Sequence, residues 1–358
     1  MNQINVAAVE AGTSRPLVFT GSGASYFRIW AINWLLTLAT LGIYSSWAKV
    51  RRLKYFHQNI TLADASFDYH GDPVSILKGR AIGLLAFLLV SLVPFALLPF
   101  MLVLPLLLRS SMRFRLHNTS YRGLRFSFIG TPRGAYFVFL LGWLLSVLSM
   151  GLLAPYFHRK MKEYQHNNAC YGSERFAFSA STRAFYALYA KTLLLTLAVM
   201  AVFGVVAGAL SADSLESLKQ LSGTPEEIAR SGQAEKLGLL IIAGVIALNV
   251  ALMALIGPFY QSRSQNLIWG STVLDRHFIR SNLRARGLAW IHASNAVLVL
   301  FSLGLFMPWA SVRLMRYRVE SLSLESHASL DSFLAGRQAE AGAIGQETAE
   351  WFDIDIGL

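Results

Sequence analysis

The residues best suited to chemistry are polar side chains within long apolar segments. Asn33, Asn249 and Asn295 lie in such segments, and His292 lies one helical turn from Asn295. Polar groups are costly in lipid, so these side chains predict a polar lining for a substrate or ion route. The alternative interpretation is that they form hydrogen bonds between membrane helices.

No catalytic constellation accompanies these polar residues. The sequence contains no nucleophile elbow, Walker loop, dinucleotide fingerprint or zincin motif. His158 and His166 share a helical face, but no carboxylate stands at ligand spacing. A denser group is typical of a hairpin turn and comprises Asp64, Asp68, His70 and Asp72. We therefore predict no catalytic residue, no metal site and no cofactor.

The composition is that of a membrane protein. Of 358 residues, 54% are hydrophobic and 15% are charged, whereas soluble domains carry about 25% charged residues. The apolar runs at 185–210, 237–259 and 288–309 are long enough to span a bilayer, which takes about 20 residues. Residues 1–16 lack the pattern of a secretory signal. Cys170 is the single cysteine, so no intramolecular disulfide can form.

The net charge of +12 is concentrated beside the apolar segments. The positive-inside rule predicts this distribution, which argues against nucleic-acid binding. Three basic stretches that begin with an aromatic residue are expected at the membrane interface. Their cations either contact anionic lipid phosphates or only set orientation. The candidate lipid-binding residues are Lys49, Arg51, Arg52, Lys54, Arg159, Lys160, Lys162, Arg313, Arg316 and Arg318.

Three segments align on a glycine and predict an internal repeat. They read TLGIYSSWAKVRRLKYF around Gly42, SMGLLAPYFHRKMKEYQ around Gly151 and SLGLFMPWASVRLMRYR around Gly304. Asn33 and Asn295 both lie nine residues before their glycine. We therefore expect the two asparagines to avoid lipid and to face one shared interior with His292 nearby.

Short strands are predicted after the basic stretches. Aromatic residues alternate with period two beside a glycine, which favours β-hairpins over plain loops. These residues are Phe67 and Tyr69, Phe126 and Phe128, and Phe176 and Phe178. Residues 17–23 are similar to the second strand of such a hairpin. The expected fold is an all-α polytopic membrane protein with small cytoplasmic β-hairpins and internal repeats.

The predicted organisation alternates three repeat units with helical pairs. Its parts are a polar tail at 1–16, a first unit at 17–75, a helical pair at 76–116, a second unit at 117–184, a helical pair at 185–261 with an acidic periplasmic insert at 212–236, a third unit at 262–324 and an acidic tail at 325–358. The run 81–108 either forms one long span or turns at residues 94–99, and the turn is favoured because prolines break helices. Each glycine-centred unit enters and leaves from one side, or else the chain makes six single spans.

The runs FTGSGASYF, TLGIYSSWAKVRRLKYF and FDYHG resemble the YjgN family, bacterial inner-membrane proteins of uncharacterised function. The resemblance extends from about Phe19 to Tyr317 and is most specific at residues 41–48. The first copy has Ser46 where the other two have Pro155 and Pro308. The resemblance implies a multi-pass protein of the bacterial inner membrane and supplies no reaction, ligand or catalytic residue.

The leading functional interpretation is a transporter or channel-like protein with a polar intramembrane site. Internal repeats that flank intramembrane polar residues are common in transporters. The alternative is a non-transporting scaffold or an anionic-lipid-binding protein. The expected partners are the lipid bilayer and anionic phospholipid, with no nucleic acid. The substrate is unidentified, and an oligomer is compatible with the sequence.

Overall fold

The computed structural model describes residues 13–93, 95, 97–219 and 233–326. The centre of the acidic insert, the tail beyond residue 326 and the residues before 13 lie outside the described residues. Within them, ten helices form five consecutive pairs that alternate with short strands. The fold is therefore a regular succession of helical pairs and strands.

The first helix of each pair is mainly apolar, and the second leads directly into a strand. The pairs are α1 Gly23–Ala39 with α2 Ser45–Gln58, α3 Pro73–Leu92 with α4 Leu97–His117, α5 Pro132–Leu148 with α6 Ala154–Asn167, α7 Thr182–Lys219 with α8 Gln233–Gly270, and α9 Ala285–Phe301 with α10 Met307–Glu320. Helix starts follow local chemistry, since Asp72 caps α3 through the backbone N–H groups of Val74 and Ser75.

All the strands in the described part of the chain belong to one antiparallel sheet. They are β1 Thr13–Pro16, β2 Val18–Phe19, β3 Ile60–Leu62, β4 Ala65–Tyr69, β5 Thr119–Tyr121, β6 Leu124–Phe128, β7 Ala169–Tyr171, β8 Glu174–Phe178, β9 Thr272–Leu274, β10 His277–Ser281 and β11 Leu322–Ser326. Their order across the sheet is β1-β11-β10-β9-β8-β7-β6-β5-β4-β3-β2.

The sheet closes on itself through its N-terminal segment. β1 pairs with β11, and β2 pairs with β3. Leu17 alone separates β1 from β2, and its N–H donates to the Leu322 carbonyl at 3.0 Å. The 11 strands therefore form a nearly closed barrel.

The predicted fold class, an all-α protein with small separate hairpins, is therefore wrong. An isolated hairpin has two edges of unpaired backbone N–H and C=O groups. Here each hairpin pairs with the next, as in the registers Phe67 to Tyr121 and Phe126 to Tyr171. Pairing along the whole chain satisfies these edges, although long helices separate the hairpins in sequence.

Aromatic side chains fill the interior of the sheet. Leu62, Tyr121, Leu124 and Tyr171 form one buried cluster. The Tyr121 hydroxyl donates to the Leu62 carbonyl at 2.6 Å, and the Tyr171 hydroxyl donates to the Tyr121 carbonyl at 2.9 Å. Each tyrosine thus joins its own hairpin to the preceding one.

Four of the described helical segments are long and apolar enough to cross a membrane: Pro73–Leu92, Leu97–His117, Thr182–Ala209 and Ile241–Gly270. α1, α5 and α9 have about 17 residues each, or roughly 26 Å of helix. One sheet contains all the described strands, so the hairpins gather at one end of the helices. Six single spans do not fit this arrangement, since they would place hairpins on both sides.

Candidate functional site

The second helices of the pairs form a ring of their own, which we call the returning helices: α2, α4, α6, α8 and α10. Side chains link α4 to α6, α6 to α8, α8 to α10 and α10 to α2. These contacts are Leu116 with the cluster that contains Tyr164, His158 with Tyr260, Gln261 with Arg318, and Val319 with Phe56. The pairing of β4 with β5 brings the ends of α2 and α4 together.

A buried residue marks the same place on every returning helix. In each case it lies thirteen positions before the first residue after the helix. The five residues are Ser46, Pro105, Pro155, Pro258 and Pro308. Pro155 and Pro308 stand in the first turn of their helices, where the missing N–H costs nothing. Pro105 and Pro258 lie inside longer helices, where proline removes a hydrogen bond and favours a kink.

Asn33 and Asn295 occupy equivalent places in their helical pairs. The Asn33 amide donates to the Ala48 carbonyl at 3.5 Å, and the Asn295 amide donates to the Ala310 carbonyl at 3.1 Å. Both side chains are buried. Each asparagine therefore holds its apolar helix to the returning helix of the same pair.

Asn249 and His292 have different surroundings. Asn249 is exposed on α8 and donates to the Val245 carbonyl of its own helix at 2.8 Å. His292 lies one turn from Asn295, and its buried Nε2 has no hydrogen-bond partner among the described residues. The hydrogen bond of Asn249 is thus made within α8, unlike those of Asn33 and Asn295.

The three aligned glycines stand in identical turns between helices. Gly42, Gly151 and Gly304 have φ angles of +93°, +87° and +91°, which favour glycine. The preceding residues are apolar and almost fully exposed: Leu41 at 95%, Met150 at 95% and Leu303 at 93%. Large apolar side chains at the tips of three turns are suited to contact with lipid rather than with water.

The candidate lipid-binding cations fall into two groups. Lys49, Arg51, Arg52 and Lys54 are exposed on α2. The others have partners within the chain: Arg159 and Lys160 with Glu163, Lys162 with Gln165, Arg313 with Asn295, Arg316 with the Gly21 carbonyl, and Arg318 with Gln261. The structure therefore leaves the α2 group as the most accessible to lipid phosphates.

A polar cleft of about 290 Å³ lies between α6, α8 and α10. Lys162 and Arg318 bring two positive charges to it, and none of its lining residues is a carboxylate. Arg318 donates to Gln261, while its buried Nε has no partner in the described part of the chain. Burial lowers the pKa of both Lys162 and Arg318. The cleft is thus an electropositive and partly desolvated site.

Two histidines on α6 lie beside this cleft in their neutral form. Burial, and then the charge of Lys162, lowers the pKa of His158 and of His166 to about 4. His166 Nδ1 lies 3.0 Å from the Thr272 hydroxyl, which itself donates to the Ile268 carbonyl. A hydroxyl has one proton, so Nδ1 carries the hydrogen in this contact.

Sequence reasoning missed the α8 side of the cleft. No motif in the sequence marks Gln261, Ser264 and Gln265, which line the cleft together with Lys162 and Arg318. Pro258 stands thirteen residues before Ser271 and was the available signal, because the same spacing separates Pro308 from Ser321.

A family model described as "Bacterial protein of unknown function (DUF898)" matches residues 14–351. The chain belongs to this family. Inner membrane protein YjgN of Salmonella typhimurium is 25% identical over 92% of this chain and 92% of its own length. The same-named protein of Escherichia coli O157:H7 is 25% identical over 57% of this chain and 48% of its own length. No solved structure matches the chain at a significant level.

Membership of the DUF898 family agrees with the resemblance found in the sequence, and the predicted localisation is confirmed. The relatives are named inner membrane proteins, and four described helical segments are suited to crossing a bilayer. The chain is a multi-pass protein of the bacterial inner membrane, and lipid surrounds its long helices. The family description assigns no activity to the site.

Proposed function

We propose that this protein is channel-like or a transporter, with a solute passage enclosed by the returning helices. The supporting observation is the arrangement of these helices: side-chain contacts lead from α4 through α6, α8 and α10 to α2, and the pairing of β4 with β5 brings the ends of α2 and α4 together. A closed ring can enclose a route that lipid does not enter. The hairpins belong on the cytoplasmic side, because the basic residues cluster beside them.

We also infer that the ring consists of five copies of one helix–strand unit, two more than the glycine alignment predicts. The buried residue at Ser46, Pro105, Pro155, Pro258 and Pro308 supports this inference. Repeated units around a common axis are a frequent plan for membrane transport proteins.

The packed aromatic interior of the sheet would close such a passage at its cytoplasmic end. Tyr171 is buried there against Phe126, with ring centroids 4.9 Å apart. In planar bilayers, Tyr171→Ala should conduct more current than the unmodified protein, because it removes a large side chain from the constriction. Phe278→Ala is the matched control, since Phe278 is an exposed aromatic residue on the opposite face of the sheet.

The experiment separates a passage from a scaffold. If the unmodified protein and Tyr171→Ala are both folded and neither carries current or solute flux, the ring is a scaffold. Equal currents for Tyr171→Ala and Phe278→Ala would contradict the position of the constriction. Circular dichroism of both variants establishes that they retain the fold.

Binding of anionic lipid is a second candidate function, favoured by the exposed cations of α2. Each basic residue at an anionic surface contributes about 1 kcal/mol, so three contribute roughly 3 kcal/mol at most. Neutralising Arg51, Arg52 and Lys54 together should reduce the anionic lipid that copurifies with the protein. A matched control neutralises Arg125, Arg175 and Arg280, which are exposed on the outer face of the sheet. Equal amounts of copurified lipid in both triple variants would mean that the α2 cations only set the orientation of the protein in the membrane.

A further inference from the structure

The cleft between α6, α8 and α10 combines two cations with neutral polar groups. Lys162 Nζ donates to Gln165 Oε1 at 3.0 Å. Arg318 donates to Gln261 Oε1, and Gln265 Nε2 donates to the Ser321 hydroxyl at 3.1 Å. Lys162 and Arg318 thus each donate to a neutral amide oxygen. No lining residue of the cleft carries a negative charge to balance them.

This charge pattern differs from that of the neighbouring cations on the same helices. On α6, Lys160 lies 3.0 Å from Glu163. On α10, Arg316 lies 3.9 Å from Glu320. A partly desolvated cation without a counter-ion is costly. An added anion would therefore improve the environment of Lys162 and Arg318 more than that of Lys160 or Arg316.

We propose that this cleft binds a phosphate group, carried either by a small solute or by a lipid headgroup. Arg318 offers a planar fork of donors, and its buried Nε lacks a partner among the described residues. Lys162 offers a compact second charge. A volume of about 290 Å³ accommodates a phosphate with a small substituent. Ser264, which lines the same cleft, adds a hydroxyl donor.

Binding can be measured on the purified full-length protein without any flux. Inorganic phosphate is titrated by calorimetry in detergent, with chloride at equal ionic strength as the reference. Lys162→Gln and Arg318→Gln should each weaken phosphate binding by about tenfold or more, as expected for loss of a charge-assisted hydrogen bond. Lys160→Gln and Arg316→Gln are the matched controls on the same helices and should bind as the unmodified protein does.

A parallel titration distinguishes the two sources of the phosphate group. The protein is mixed with vesicles of phosphatidylcholine alone or with added phosphatidic acid. Binding of free phosphate that is lost in Lys162→Gln indicates a solute site. Binding only to phosphatidic acid vesicles, lost in the same variant, indicates a headgroup site.

An isosteric variant keeps the proposal testable if Arg318→Gln fails to fold. Gln261→Glu keeps an oxygen acceptor for Arg318 and adds a negative charge to the cleft, so it should fold and lose phosphate binding. Unchanged binding in Gln261→Glu, or no binding from either source, would overturn the proposal. The proposed passage would survive that result, because conductance through Tyr171→Ala is measured separately.

Discussion

Arg313 donates from Nη1 to the Oδ1 of Asn295 at 2.8 Å. The equivalent oxygen of Asn33 is buried without a hydrogen-bond partner in the described part of the chain. Arg51 stands at the place of Arg313, nine residues after the turn glycine, but lies over the Tyr44 ring at 5.7 Å. The two asparagines thus occupy equivalent positions in the fold, but only the Asn295 oxygen accepts a hydrogen bond from an arginine.

This difference predicts unequal effects of removing each amide. Asn33→Leu should destabilise the protein by about 1 kcal/mol, a usual value for a hydrogen bond between membrane helices. Asn295→Leu should cost about 2 to 3 kcal/mol, because it also leaves Arg313 without its partner. Unfolding in mixed detergent and denaturant measures both, and Asn295→Leu with Arg313→Leu should recover part of the loss. Equal losses in the two single variants would contradict this assignment.

The turns at the tips of α1/α2, α5/α6 and α9/α10 should lie within the bilayer. Met150→Cys in a Cys170→Ala background should react poorly with an impermeant thiol reagent, both in intact cells and in inverted vesicles. Arg175→Cys, on the exposed face of the sheet, should react only in inverted vesicles. Strong labelling of Met150→Cys in intact cells would mean that α5 crosses the membrane.

The left-handed conformation at Gly151 predicts a cost for any side chain there. Gly151→Ala should lower the free energy of unfolding by about 1 kcal/mol or more, although no atom lies within 4 Å of the added methyl group. Gly83→Ala is the matched control, since Gly83 lies in α3 with equally open surroundings. Alanine favours a helix, so the control should be neutral or stabilising. Thermal unfolding of both variants checks the sign.

The neutral state of His166 predicts a loss of stability in acid. Its pKa falls from 6.5 to about 4 on folding, so the unfolded chain binds the proton more readily. Stability is therefore complete above about pH 6.5 and is lost as the pH falls towards about 4, by roughly 1 to 3 kcal/mol. His166→Gln should melt with a shallower pH dependence between pH 7 and 5. Identical slopes would show that His166 does not titrate in this way.

The hairpins could be predicted from the sequence, but their assembly into one sheet could not. Period-two aromatics such as Phe126 and Phe128 depend only on local alternation. The pairing of Phe126 with Tyr171 joins residues on opposite sides of a helical pair. No local pattern specifies such a contact, because the strand edges are satisfied by whichever strand the helices bring alongside.

The candidate site was predictable to a similar extent. The repeat-related asparagines follow from their spacing to Gly42 and Gly304, and both are buried against a returning helix. The cleft instead depends on α8, whose polar C-terminal part follows a long apolar run without a glycine turn to mark it. Lys162 and Arg318 were recognised as cations, while their convergence required the ring of helices.

The closing strand has a consequence for how the protein is made. Thr13 pairs with Ser326, so the first described strand receives its last partner only after all the described helices have left the ribosome. At roughly 5 to 20 residues per second, about 300 residues take about 15 to 60 s. During that time the unpaired edge of β1 can form hydrogen bonds with a strand of another chain. The sheet can therefore close only after β11 has been made, and shielding of the β1 edge until then would favour closure over pairing between neighbouring nascent chains.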